Sequence, residues 1–256
     1  MKSFKMFAEV LNESSMEEAK AFVKKYFSKN EIKISSSGML IAQKDIILDM
    51  DELSELGVTF EDCPKKKFII RDNVISTLKG CPSVCKEFDA AGCNLKNLDG
   101  GPTKITDGDY VISSNDDLVS LKGGPEEING NFYALYCKLT TEECIQYLPK
   151  KITGSLKLSH NNLNSLKGIH KRVEHLGGCL YIGGNPIKSH ILGALLIPGI
   201  EKIIIAPRKG EVDKDLDAAA QIMNKFLREN KARDKSGVVE CQTRMIEADL
   251  DDLAQM

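Results

Sequence analysis

Six segments of the chain carry one spacing: a bulky apolar residue, a spacer, a second apolar residue, two spacers, then Asn or Cys. They are Phe68-x-Ile70-x-x-Asn73, Phe88-x-Ala90-x-x-Cys93, Tyr110-x-Ile112-x-x-Asn115, Phe132-x-Ala134-x-x-Cys137, Leu156-x-Leu158-x-x-Asn161 and Leu180-x-Ile182-x-x-Asn185. The anchors follow one another at 20, 22, 22, 24 and 24 residues. Two residues after the anchor an apolar side chain returns at Ile75, Leu95, Leu139, Leu163 and Ile187; only the Asn115 unit places it one position late, at Leu118. A fixed period of this size predicts a solenoid, in which each unit buries its apolar side only against its neighbours.

Within a unit, alternate residues of an extended segment point to one side. Leu156 and Leu158 therefore face the core, while Lys157 and Ser159 face out. The Asn at the bend is expected to bond loop backbone groups that would otherwise be buried unpaired, giving a structural ladder of Asn73, Cys93, Asn115, Cys137, Asn161 and Asn185. Cys93 and Cys137 read as small buried substitutes in that ladder. Gly108, Gly130, Gly154 and Gly178 each fall two residues before the first strand position, which predicts a tight turn with positive φ before each strand. Leu-Lys-Gly or Gly-Pro punctuation closes most units, as at Leu78-Lys79-Gly80 and Leu166-Lys167-Gly168.

This L-x-L-x-x-(N/C)-x-L core resembles the leucine-rich repeat family over roughly residues 64–206. The resemblance implies one short strand per unit and a sheet face open to partners. The chain differs where that family opens each unit with another Leu: here stand Cys85, Asp107, Asn129, Thr153 and Gly177, with Ile105, Ile128, Ile152 and Leu176 slightly off that position. The convex side is therefore expected to be turns or a second extended segment, not helices. The Gly-Pro-x-x-Ile-x-Gly style also resembles repeat proteins of large tailed bacteriophages.

A solenoid exposes core at both ends and needs caps. Residues 1–60 read as an α+β cap. It has an apolar stripe at Phe4, Phe7, Val10 and Leu11, and a capping box at Ser15-Met16-Glu17-Glu18 before a helix carrying Ala19, Phe22, Val23, Tyr26 and Phe27. Strands are expected at 31–35, 39–42 and 45–48, then a short helix over Asp51–Leu56. After the repeats, residues 200–205 read as a last strand, Asp213–Glu229 as an amphipathic helix and Val238–Leu253 as a second helix. The helical pair is expected either to dock on the solenoid or to project from it. The fold class is thus α/β: a leucine-rich-repeat-like solenoid over 61–206 with a parallel sheet of about six short strands, an N-terminal cap over 1–60 and C-terminal helices over 207–256.

Composition narrows the function classes. Thirty-five Lys and Arg against 37 Asp and Glu leave no basic excess for a nucleic-acid partner. Aromatic residues make up 6% with no Trp, which argues against stacking on sugars or bases. No apolar run reaches the roughly 18–20 residues of a membrane span, and the first residues lack the long apolar core of a secretory signal. Eight irregularly spaced cysteines read as buried free thiols of a reducing cytoplasm; Cys81, Cys85 and Cys93 lack a nearby His, so no metal site is assigned. Phosphate-loop, zinc-protease and nucleophile-elbow motifs are absent. No cofactor is expected and the chain reads as a non-enzyme, a thiol- or His-dependent enzyme built on His160 being the remote alternative.

What remains is a surface. Outward rows place Tyr133, Leu135, Tyr136, Lys157, His160 and Tyr181 together in the later units, with Arg71 on the same face. Exposed aromatics beside polar groups are typical interface anchors. The first expectation is an adaptor or inhibitor that grips a partner protein through this face in the cytoplasm of an infected cell; self-association is compatible with it. A second expectation comes from Met1–Glu13, which resembles the leaders that direct internal proteins into the prohead of large tailed phages. That resemblance implies cleavage after Glu13, at Leu11-Asn12-Glu13, and packaging in the virion.

Overall fold

Alternating apolar residues with a polar anchor once per unit wind the chain into parallel coils. The computed structural model describes residues 15–28, 30–49, 56–71, 75–205, 213–229 and 235–255. The expectations for Phe4–Leu11, Glu13, Asp51–Glu55 and Asn73 lie outside the described residues, and so does the side chain of Arg71.

Helix α1 covers 15–26, beginning at the expected capping box. Strands β1 (Ile32–Ile34) and β2 (Leu40–Ala42) form an antiparallel hairpin. Then comes one twelve-stranded sheet, wound as a parallel β-solenoid of about seven turns. Its early strands are β3 (Ile46–Asp49), β4 (Cys63–Arg71) and β5 (Val84–Asp89). From the next coil on, each turn splits into two short strands: β6 (Lys104–Ile105) and β7 (Tyr110–Val111), β8 (Glu127–Ile128) and β9 (Phe132–Tyr133), β10 (Lys151–Ile152) and β11 (Leu156–Lys157), β12 (His175–Leu176) and β13 (Cys179–Tyr181). Strand β14 (Lys202–Ile204) closes the sheet beside β13. Because β3 already pairs in parallel with β4, the sheet begins before residue 60.

The single row of about six strands is therefore corrected to two rows. One row stacks β7, β9, β11 and β13; the other stacks β6, β8, β10 and β12, and β5 bridges them by pairing with both β6 and β7. Ile105, Ile128, Ile152 and Leu176 are the inward residues of the second row, each fully buried. This is the extended alternative expected for the convex side. On the third side the expectation of no helix fails: α2 (Thr141–Ile145), α3 (Ile169–Arg172) and a 3-10 turn over Ile191–Leu196 stand there. The two α-helices fall in the 24-residue units, where the extra residues wind into a helical turn.

Inside, equivalent residues of successive coils stack. Phe68, Phe88, Tyr110 and Phe132 form an aromatic column with centroid separations of 6.2, 5.3 and 5.5 Å, continued by Leu156 and Leu180. All six are at most 1% exposed, and full burial of such side chains stabilises the fold by about 1.5–3 kcal/mol each. The Tyr110 hydroxyl is buried there without a hydrogen-bond partner among the described residues.

The glycines before the strands are also corrected. Gly108, Gly130, Gly154 and Gly178 are not among the residues with positive φ. They lack side chains because the coils touch there: a Cβ on Gly130 would lie 1.9 Å from the Gly108 carbonyl oxygen. Positive φ belongs instead to the closing punctuation, at Gly80, Gly100, Gly123 and Gly168.

The C-terminal helices dock. In α4 (Lys214–Arg228), capped by Asp213 accepting from Leu216 N at 2.9 Å, the residues Leu216, Ala219, Met223 and Phe226 join the core. Helix α5 (Lys235–Ile246) is shorter than expected; Asp249 turns back with φ 59°, and Leu250 and Leu253 are buried beyond that turn. Asn224 bonds the outer edge of β14, its Oδ1 accepting from Ile203 N at 2.8 Å and its Nδ2 donating to Ile203 O at 2.6 Å. Among the described residues no helix is long and apolar enough to cross a membrane.

Candidate functional site

The anchor ladder fixes the backbone on which the outward face is built. Asn115 Oδ1 accepts from Cys93 N and Leu95 N at 3.1 and 2.9 Å, while its Nδ2 donates to Ala90 O and Ile112 O at 3.0 and 2.9 Å. Asn185 repeats this toward Asn161 N, Leu163 N, Leu158 O and Ile182 O. Each amide thus joins its own coil to the preceding one. The Cys93 and Cys137 thiols donate to Ile70 O and Ile112 O at 3.0 and 3.3 Å, supplying the donor half of the same job.

The residue before each anchor sits in the left-handed region: Gly92, Ser114, Tyr136, His160 and Gly184 have φ between 54° and 72°. That corner lifts the Tyr136 and His160 side chains off the sheet edge. Their rings stack at 4.4 Å with 7° between planes. On the other side His160 lies over Gly184, where a Cβ would come within 2.3 Å of its Nδ1.

Beside this stack, Lys157 projects from β11 between its rung neighbours Tyr133 and Tyr181. Its Nζ is 4.2 Å from the Tyr133 ring centroid and 5.2 Å from that of Tyr181. Cation–π contacts at such a site contribute about 0.5–1 kcal/mol each and hold the lysine in one arrangement. Tyr136 is 50% exposed, whereas Leu135, Tyr133, Lys157, His160 and Tyr181 are half-buried.

Five of these residues thus pair directly, through the lysine sandwich and the ring stack, and Leu135 follows β9 in the chain between Tyr133 and Tyr136. Arg71 does not join: β4 is separated from β9 by β5 and β7, three strand spacings or about 14 Å. The distance along the axis separates it from the aromatics.

The same row extends further than the sequence reading took it. Ile47 pairs in register with Ile69, and Tyr181 with Ile204, so Ile47 and Ile204 flank the stripe at either end. Adding one coil to the register in each direction would have found both. A second polar ladder also escaped notice, at the bend between the strand rows. Asp109 Oδ1 accepts from Asn131 N at 2.8 Å, Asn131 Oδ1 from Ser155 N at 2.8 Å, and Ser155 Oγ from Cys179 N at 3.1 Å. Its signal is the residue directly after each stacked glycine.

The other strand row presents a different surface. On it Lys104 pairs with Glu127 at 2.6 Å, and next to it Arg172 of α3 pairs with Glu126 at 2.8 Å; both glutamates are held below the usual carboxylate range by these hydrogen bonds. On the third side, a groove of about 650 Å³ is lined by Thr141, Glu142, Lys167, Lys171 and His190 among others. There His190 Nδ1 contacts Ser165 Oγ at 3.1 Å and Ser189 Oγ at 2.8 Å.

Six of the eight thiols are made poor nucleophiles by burial. Burial pushes Cys63 and Cys137 up to about 11 and Cys241 up to about 12, and raises Cys81, Cys85 and Cys144 as well. Among the described residues no three His, Cys, Asp or Glu side chains converge to hold a metal ion. Compared with known protein families, curated proteins and solved structures, the chain matches none of them.

Proposed function

We propose that this chain is a non-enzymatic interaction module that binds a partner protein through the outward face of β9, β11 and β13, acting as an adaptor or inhibitor. The observation that carries the reading is the Tyr133–Lys157–Tyr181 sandwich beside the Tyr136–His160 stack. Rings already held in place lose little conformational freedom on binding, so their contact area converts efficiently into affinity. The raised thiols weigh against a Cys nucleophile. The Asn and Cys ladder is what the chain has in common with leucine-rich repeats, and that kinship, with an origin in a large tailed phage, belongs to the same proposal.

The test is replacement of Tyr133, Tyr136 and Tyr181 by Ala. The triple variant is expected to lose the protein that co-purifies with the wild-type chain from its native context, with the melting temperature little changed. Equal capture by both proteins refutes the reading. The second reading, a packaged phage protein, rests on the Leu11-Asn12-Glu13 pattern. It requires mature chains that begin at Ser14 in purified virions; intact chains confined to the infected cytoplasm refute it.

A further inference from the structure

We infer that the partner segment gripped by this face is acidic and carries apolar or aromatic anchors; this rests on the interaction reading above and narrows it. The three outward segments that build the patch, 131–138, 155–162 and 179–186, contain no Asp or Glu. The two equivalent segments before them do: 109–116 holds Asp109 and Asp116, and 87–94 holds Glu87 and Asp89. Over these five coils the face is polarised along the solenoid axis, carboxylates giving way to cations, while the β4 coil before them carries Lys67 and Arg71.

Within the later coils, Lys157 sits at the centre and Lys138 stands exposed one residue past the Cys137 anchor. Neither enters an ion pair among the described residues, in contrast to Lys67, Lys86, Lys104 and Lys150, which do. His160 adds a third nitrogen centre at the rim. Tyr133, Tyr136 and Tyr181 present hydroxyls that donate to carboxylates, while their rings and Leu135 provide apolar surface. One lysine held by rings and a second exposed near it, neither with a carboxylate of its own among the described residues, favour an anionic visitor, since like-charged or neutral segments gain nothing from them.

A protein segment fits better than a single-stranded nucleic acid. Base recognition needs ring faces open for stacking. Here Tyr133 lies between the rungs of Val111 and Lys157, Tyr181 between Lys157 and Ile204, and Tyr136 is covered on one face by His160. What remains outward is mostly edges and hydroxyls.

The experiment selects a displayed random peptide library on the full chain, then measures synthetic winners by fluorescence anisotropy beside a single-stranded oligonucleotide. The expected winners are rich in Asp and Glu with Leu, Phe or Tyr between them. Their affinity falls about tenfold in Lys157→Glu and in Lys138→Glu, and falls again as salt rises from about 0.1 M to about 1 M. Lys138→Glu lies outside the ring sandwich, so its effect is read on a folded protein even if Lys157→Glu melts early. Neutral or basic winners, no enrichment at all, unchanged binding by both Glu variants, or preference for the oligonucleotide each overturn the inference. Neutral winners that the triple Tyr variant still loses overturn only the acidic class; winners that the triple variant keeps overturn the binding face as well.

Discussion

Asn161 and Asn185, one coil apart, donate to the same carbonyl: the Nδ2 of each reaches Leu158 O, at 2.9 and 2.8 Å. Both lone pairs of that oxygen are used, so consecutive rungs of the ladder are joined at one atom.

Asn161→Ala removes the donor to Ala134 O, one of the two donors to Leu158 O and the acceptor of Leu139 N, all in buried surroundings. Chemical denaturation is expected to show a loss of about 2–4 kcal/mol. Cys137→Ala removes a single weak thiol donor and should cost about 1 kcal/mol. Equal losses at the two positions would mean that anchors act by filling space instead of by bonding.

Gly130→Ala and Gly168→Ala separate two uses of glycine. At Gly130 the new methyl meets the Gly108 carbonyl with no positive φ involved, so a loss of about 3 kcal/mol or more is expected. At Gly168 nothing lies within 4 Å and φ is +82°, so only the backbone cost of about 1–2 kcal/mol remains. Thermal melts of the two variants rank them; the reverse order would refute the contact explanation.

Tyr110→Phe keeps the aromatic column and deletes a buried hydroxyl that has no partner among the described residues. The variant is expected to be more stable by about 1 kcal/mol, since the desolvation of that group is no longer incurred. A lower unfolding midpoint would show that the hydroxyl is satisfied in solution.

His170 titrates against the fold. Burial, with Lys171 as a smaller cause, lowers its pKa, and its Nδ1 is buried beside Gly193 without a partner among the described residues. The unfolded chain takes up the proton first, so this contribution to stability is complete above about pH 6.5 and is lost as the pH falls toward the depressed folded value. Urea midpoints of wild type and His170→Gln across that range should converge at low pH. Parallel curves would remove the role given to His170.

The ladder and the inward residues could be read from letters alone because Asn161 or Leu158 does one job in every unit. The second strand row could not, since a two-residue strand such as β8 buries one side chain, Ile128, and so has no alternation to detect. Gly130 misled because a missing Cβ and a positive φ call for the same residue. The left-handed corner was hidden by its variety, with Gly92, Ser114, Tyr136, His160 and Gly184 sharing a backbone shape but no chemistry. Of the candidate face, the later-coil cluster was legible, and Arg71 was misjudged because a row of side chains carries no sense of axial distance.

The amide of Asn224 closes against Ile203 where another coil would otherwise continue. An open parallel edge is a template on which a second molecule can stack end to end into a fibre. Seated there, one side chain on α4 sets a terminus to what is otherwise an indefinitely extendable screw, and keeps the number of windings a property of the gene instead of the concentration.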